Sequence, residues 1–338
     1  MTRLDFFCSP IGLGHVTRDI AIADNLENIS ANFVTGSGAA EILRKTNRQV
    51  EDVYNPPSFI VEDGSLKSPA RWLWNYYRYY KDCKNISESI LQKSNPSLVV
   101  SDEDFASLRA AQQRKIPTIL VTDILETRFT KGPASFVEKR MNRSMNQIIK
   151  RCDAVILPED GDDCGNIKRV GPIVRETRHT REELREKFGL CKKTIVISIG
   201  GTDAGLFLIQ RAIDAASKTS QDLQVIVVSG PSVGKKFEGA RNFGFVENLH
   251  ELIFAADLVI SLAGRSTIDE ARAYGTPGIF IPIRGHFEQE DNARQEGYEF
   301  ADAFRLEKII PSKLEERRSR ADAKGAKKAA EIIQKTIQ

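Results

Sequence analysis

The sequence predicts a doubly wound α/β protein in two domains. Short, β-branched apolar runs alternate with helical segments along almost the whole chain, which is the pattern of βαβ units building a parallel sheet. Between residues 257 and 282 the alternation condenses into one complete unit: the buried-strand run Leu258-Val259-Ile260, a turn at 263–267, a helix over about 268–274, and a strand over 278–282. Gly275 followed by Pro277 supplies the stop signal for that helix. A length of 338 residues exceeds what one hydrophobic core serves, so two domains of about 150 residues each are expected.

The elements follow in order. Residues 4–8 read as a first strand and 9–15 (Ser-Pro-Ile-Gly-Leu-Gly-His) as its loop. A helix over about 16–26 comes next, with Ile20, Ala23 and Leu26 at helical spacing. Gly12 and Gly14 let a ligand approach the backbone, but Thr17 stands where a dinucleotide fingerprint needs its third glycine. His15 sits at the mouth of the sheet. There a neutral imidazole can accept a proton from a hydroxyl, or the same side chain can serve as a local helix cap. Residues 32–35 form a second strand, with a turn at 36–38 and a helix over 39–45.

The stretch 71–81 holds six of the chain's nine tryptophans and tyrosines between Arg71 and Lys81. Aromatics at 72, 74, 76, 77, 79 and 80 spread around most of a helical circumference, more than one core-facing stripe can bury. Some must face outward, as on a membrane or acceptor surface, where cations flanking the rings meet anionic lipid. Strands over 97–102 and 117–123 end in acids, Asp102-Glu103-Asp104 and Asp123, at the edge where an open α/β sheet binds ligands. Those acids suit helix caps equally well.

A Gly171-Pro172 linker marks the boundary, giving domains of 1–172 and 173–315; a basic, alanine-rich helix over 314–338 sets 316–338 apart as a segment expected to pack back on the first domain. The second domain opens with a strand over 194–199 and a loop containing Gly200, Gly201 and Thr202. A strand over 223–228 and the segment 242–249 with Phe245 and Val246 precede a helix over about 249–256. In the turn after residue 262, Gly264, Arg265, Ser266 and Thr267 present small residues, hydroxyls and backbone N–H groups at a helix N-terminus, a setting that stabilises phosphate. Glu270 follows one turn later, within reach of a ribose, and Gln289 and Asn292 offer amides suited to sugar hydroxyls.

Taken together, Gly264, Ser266, Thr267, Glu270, Gly275, Pro277 and the Gln289-x-x-Asn292-Ala293 segment resemble the donor-site signature of the glycosyltransferase family 28 C-terminal domain, found in MurG and its relatives. Gly12-x-Gly14-His15-x-x-Arg18 is similar to the Gly-His loop that opens family 28 transferases. It is also similar to the loop of PseG-type nucleotide-sugar hydrolases, and Pro10-Ile11 stands where MurG has further glycines. The resemblance implies a GT-B fold, two Rossmann-like domains facing across a cleft with the donor in the second. It further implies an inverting glycosyltransferase that uses a nucleotide-sugar, a UDP-sugar first among the candidates, with no cofactor or metal. His15 is then the general base, with Asp102 or Asp123 as its orienter. Donor contacts fall to Gly12, Gly14, Gly200, Gly201, Thr202, Phe245, Val246, Gly264, Arg265, Ser266, Thr267, Glu270, Gln289 and Asn292. The rivals are a hydrolase using water as acceptor, an epimerase, and a catalytically silent donor-binding partner.

Composition bounds the rest. A net charge of +3 gives no argument for nucleic acid. Five widely spaced cysteines with no C-x-x-C suit reduced thiols, not a zinc site or a disulfide framework. No apolar run approaches the roughly 20 residues of a membrane span. The expectation is a cytoplasmic protein, with a lipid-linked acceptor and peripheral membrane contact through 71–81 as candidate partners.

Overall fold

A computed structural model describes residues 2–130, 132, 135–200, 203–219, 222–230, 235–316 and 320–337. The chain forms two compact units, Met1–Ser58 with Ser68–Val174 and Ala323–Gln338, and Phe59–Lys67 with Arg175–Asp322.

The first unit runs β1 (Thr2–Cys8), α1 (Gly14–Ala23), β2 (Ile29–Thr35), α2 (Ser37–Lys45) and β3 (Val50–Asp52). A hairpin of β4 (Ile60–Glu62) and β5 (Ser65–Lys67) leaves it, and the unit resumes with α3 (Pro69–Ser94), β6 (Leu98–Asp102), α4 (Phe105–Gln113), β7 (Thr118–Val121), α5 (Ser135–Ile149), β8 (Ala154–Leu157) and β9 (Ile167–Arg169). Its seven strands pair in parallel in the order β3-β2-β1-β6-β7-β8-β9. The chain winds outward from β1 to β3, then returns to β6 on the other side of β1. The loops after β1 and β6 therefore diverge from a shared crevice at the carboxyl edge of the sheet, which is where open α/β sheets bind ligands.

The second unit contains α6 (Arg181–Phe188), β10 (Lys193–Ser198), α7 (Leu206–Ser217), β11 (Leu223–Val228), β12 (Arg241–Gly244), α8 (Leu249–Ala255), β13 (Leu258–Leu262), α9 (Arg265–Tyr274), β14 (Gly278–Ile281), α10 (Phe287–Gln295) and α11 (Leu306–Glu315). Its five parallel strands lie in the order β12-β11-β10-β13-β14, so the same kind of switch falls between β10 and β13. Both β6 and β13 are buried along their full length, as strands sandwiched between helical layers must be.

Three sequence expectations change. The segment 59–67, assigned to the first domain, packs in the second unit: Leu66 N–H donates to Arg284 O and Arg284 N–H to Gly64 O, both at 2.8 Å. Gly64 is needed there, because its φ is +71° and a Cβ would lie 2.6 Å from the Phe300 ring. The single basic helix expected over 314–338 is two elements, α11 and, beyond an extended Glu316, α12 (Gly325–Ile337), which packs on α1 in the first unit. Gly325 fits so closely against Gly171 and Pro172 that a Cβ would meet their carbonyl oxygens at 2.4 and 2.3 Å. Finally, α1 and α9 begin earlier than their apolar spacing indicates, so His15 and Arg265–Thr267 lie in first helical turns.

Candidate active site

The crevice of the first sheet gathers charge that the sequence scatters. β1 leads into α1, whose first turn carries His15, while Asp102 closes β6; register pairs Cys8 with Asp102. His15 Nδ1 lies 2.9 Å from Asp102 Oδ1. A carboxylate only accepts, so Nδ1 carries a proton toward Asp102, and in the neutral ring Nε2 presents its lone pair. Arg18, one turn along α1 and 3% exposed, fixes Asp102 from below: its Nε donates to Asp102 Oδ2 at 2.5 Å, and Nη1 donates to Asp123. Asp102 is thus the residue on the imidazole. Asp123, the other candidate orienter, is held by Arg18.

The electrostatics follow from this packing. Burial would lower the His15 pKa, but Asp102 and then Glu103 outweigh it and hold the imidazole up at about 9. Burial would raise Asp102, but Arg18 and His15 bring it well below the usual carboxylate range. Glu103 takes a left-handed backbone (φ +55°) as the chain turns off β6. Its Oε1 accepts from Asp123 N–H and lies within reach of the Thr122 hydroxyl, both at 3.0 Å, while Oε2 stands 3.8 Å from His15 Nε2. Asp19 is fully buried beside this cluster, and burial together with the Asp102 charge pushes its pKa well up. Asp102-Glu103-Asp104 has the Asp-x-Asp spelling of a metal motif. However, Asp104 caps α4 and accepts from Tyr54 Oη at 2.8 Å, and among the described residues no group of three or more His, Cys, Asp or Glu could hold a metal.

Arg18, Asp19 and Glu103 are the site residues the sequence reading did not assign. Arg18 had a signal, its three-residue spacing from His15 on a helix. Glu103 had none beyond its place at a strand end, and Asp19, in the middle of α1, had none.

In the second unit, Gly264 is the N-cap of α9 and has no side chain to accept from the first-turn N–H groups of Arg265, Ser266 and Thr267, which point along the helix axis toward the loop. A Cβ on Gly264, or on Gly200 (φ +74°) at the end of β10, would meet nothing within 4 Å. Both loops therefore leave room at the switch point. Gly201 and Thr202 lie outside the described residues. Glu270 is 6% exposed, and burial raises its carboxyl to about 8 against the opposing pull of Arg175. Phe245 and Val246 are half-buried in the connection from β12 to α8, and Val246 packs on that side's apolar cluster.

Three donor candidates take more structural positions than expected. Asn292 is buried and its Nδ2 donates to Ala263 O at 3.1 Å, so it braces the turn before α9. Gln289 Oε1 accepts from Ile283 N–H, and Arg265 pairs with Asp269 along the helix. Gly12 (φ +88°) and Gly14 belong to the His15 loop of the first unit.

The aromatic helix is two-sided. Trp72 is buried, stacked on Tyr76 at 5.2 Å and tilted against Phe129 at 5.4 Å, whereas Trp74 is 63% and Tyr77 39% exposed. Lys81 sits over the Tyr77 ring at 4.6 Å. No helix of the described residues is long and apolar enough to cross a membrane.

The profile of the glycosyltransferase family 28 C-terminal domain matches residues 194–337. An uncharacterized glycosyltransferase of Methanopyrus kandleri is 26% identical, covering 97% of this chain and 100% of its own. A UDP-N-acetylglucosamine–N-acetylmuramyl-(pentapeptide) pyrophosphoryl-undecaprenol N-acetylglucosamine transferase of a Nocardioides species is also 26% identical, over 83% of this chain and 78% of its own. Among solved structures, the glycotransferase of kitacinnamycin aligns with a TM-score of 0.65 at 12% identity, covering 100% of this chain and 99% of its own; that likeness bears on the fold.

Proposed function

The chain belongs to the family 28, MurG-like glycosyltransferases of GT-B fold, and from that premise we propose that it moves a sugar from a nucleotide-sugar, a UDP-sugar first among them, to a hydroxyl acceptor with inversion. The observation that carries the reading is the 2.9 Å bond from His15 Nδ1–H to Asp102, which in the neutral ring leaves Nε2 as a proton acceptor at the crevice of the first sheet. In this mechanism the acceptor oxygen attacks the anomeric carbon, its proton passes to His15 Nε2, and the bond to the nucleoside diphosphate breaks on the opposite face. Asp102 stabilises the imidazolium that forms, and Arg18 keeps Asp102 ionised and aimed.

On the donor side, the α9 N-terminus and the open Gly200 and Gly264 turns suit the diphosphate, which needs no protein-bound metal if backbone amides and Arg265 meet its charge. Glu270 accepts the ribose hydroxyls, and Phe245 and Val246 flank the base. A UDP donor is supported by the named activity of the Nocardioides relative. That relative's lipid-linked acceptor, together with the exposed Trp74 and Tyr77 beside Lys81, supports a lipid-linked acceptor met at a membrane surface.

The test is incubation with a panel of nucleotide-sugars, with and without polyprenyl-phosphate or glycolipid acceptors, in EDTA and in Mg²⁺. Transfer that survives EDTA and gives the inverted anomer by NMR is expected. His15→Ala should cost about 10²–10⁴-fold in rate while UDP affinity stays unchanged. Free sugar alone would make the protein a hydrolase, and donor binding without turnover would make it a silent partner.

A further inference from the structure

Resting on the transferase reading, we propose that Glu103 is a specificity-determining contact, and that the acceptor is a carbohydrate-type polyol carrying a second hydrogen-bond donor on the carbon next to the attacked hydroxyl. The argument begins with a count of donors and acceptors. With its Nδ1 proton directed to Asp102, the base form of His15 offers only a lone pair at Nε2. Glu103 Oε2 stands 3.8 Å away, and a carboxylate is likewise only an acceptor.

Two acceptors side by side require two donors, and the attacking hydroxyl has one proton, already assigned to Nε2. Glu103 is in no position to turn away. Its other oxygen is anchored by Asp123 N–H and faces the Thr122 hydroxyl, and its backbone is fixed in the left-handed turn off β6. A neighbouring O–H or acylamino N–H on the acceptor satisfies it. Adjacent hydroxyl oxygens on a sugar ring lie about as far apart as one O–H···O bond is long, about 2.8 Å. Such a pair spans a 3.8 Å gap with one ordinary bond at each end.

A single water could span the same two acceptors by donating twice, which would release free sugar. A monohydroxylic acceptor, by contrast, would bring no second donor to Glu103 Oε2.

The experiment has a binding arm and a turnover arm, on the full chain with wild type, Glu103→Gln and Glu103→Ala. In the first, methyl glycosides of glucose, N-acetylglucosamine, galactose and mannose are titrated in the presence of UDP and followed by saturation-transfer NMR. At least one should bind wild type and lose about ten- to a hundred-fold in Glu103→Ala, the size expected for a bond to a charged group. In the second, the best glycoside and its analogues deoxygenated or O-methylated beside the attacked hydroxyl are compared as acceptors. The analogue should cost wild type about ten- to a hundred-fold in kcat/KM and cost Glu103→Ala almost nothing, with donor KM unchanged throughout. Binding of no polyol, an equal penalty in both proteins, or full activity with the deoxy analogue would overturn the proposal. Transfer to simple alcohols would overturn it while leaving the transferase reading intact, whereas hydrolysis without transfer would remove both.

Discussion

Replacing Asp102 by Asn isolates what the buried carboxylate does for the imidazole. The change keeps shape and removes charge. His15 stands at about 9 because Asp102 and Glu103 overcome burial, so at pH 7 about one molecule in a hundred carries the free base. Without Asp102, the larger of the two supporting charges is gone while the burial penalty stays. The acid limb of kcat/KM, which in wild type should climb with pH toward about 9, should move down toward or below the ordinary histidine value. Rate nevertheless falls, because Asn can donate to Nδ1 as readily as accept from it, and so no longer holds the productive tautomer. We expect a loss of about 10²–10⁴-fold in the pH-independent plateau. The cost to the fold should be contained, since Arg18 keeps Asp123 as a partner. The assay is transfer to acceptor from pH 5.5 to 10, with circular dichroism and UDP calorimetry as controls for folding. A folded Asp102→Asn protein with wild-type plateau and an unmoved acid limb would refute the dyad.

Glu270→Ala should weaken UDP about ten- to a hundred-fold, two hydrogen bonds of ordinary strength. Because the carboxyl of the free protein is raised to about 8, Glu270→Gln should be much milder at pH 7 than at pH 9; equal calorimetric affinities in all three proteins would remove Glu270 from the donor site. Burial and the Asp102 charge raise the Asp19 carboxyl well above its unfolded value of about 3.8, so the folded protein keeps this proton to higher pH than the unfolded chain does. The stabilising share of Asp19 is therefore complete at acid pH and is lost as pH rises from the unfolded value through the raised folded one. Asp19→Asn should abolish that part of the slope, so its melting temperature should gain on wild type between pH 5 and 8, and parallel melting curves would show that Asp19 ionises in place. Wild type should sediment with anionic vesicles, and Trp74→Ala/Tyr77→Ala should lose that sedimentation. Binding that is negligible and equal for both proteins would remove the membrane claim and favour a soluble acceptor.

The inner strands were legible because they are buried on both sides and read as continuous β-branched runs, whereas the three-residue edge strands β3 and β9, only partly buried, carry no such run; the β13–α9–β14 unit was legible because its turn and stop residues sit in sequence. The His15 loop was legible for the same local reason. The choice between Asp102 and Asp123 was not. It depends on register between β1 and β6 and on where a guanidinium in α1 can reach, contacts that span 84 to 105 residues. Helical period showed that the aromatics at 72–80 could not share one face, but assigning Trp72 inward and Trp74 outward needed the Phe129 segment that covers the first. The hairpin at 59–67 has no compositional mark. Its allegiance is decided by two backbone bonds to Arg284 and by the room Gly64 leaves for Phe300 and Phe207. The break between α11 and α12 was hidden by an alanine- and lysine-rich composition that favours helix throughout.

The position of α12 bears on the order in which the protein can assemble at the ribosome. Ala326, Ala329, Ala330 and Ile333 are buried, and the helix lies on α1 and reaches β6, the two elements that carry His15 and Asp102. Yet it is made after the entire second unit. A nascent chain emerges amino end first and folds domain by domain, so the second unit can close on completion while the first still lacks a wall behind its charged cluster. Shortening the chain before residue 325 should therefore impair the amino-terminal catalytic dyad and spare nucleotide binding, the reverse of what linear position alone would lead one to expect.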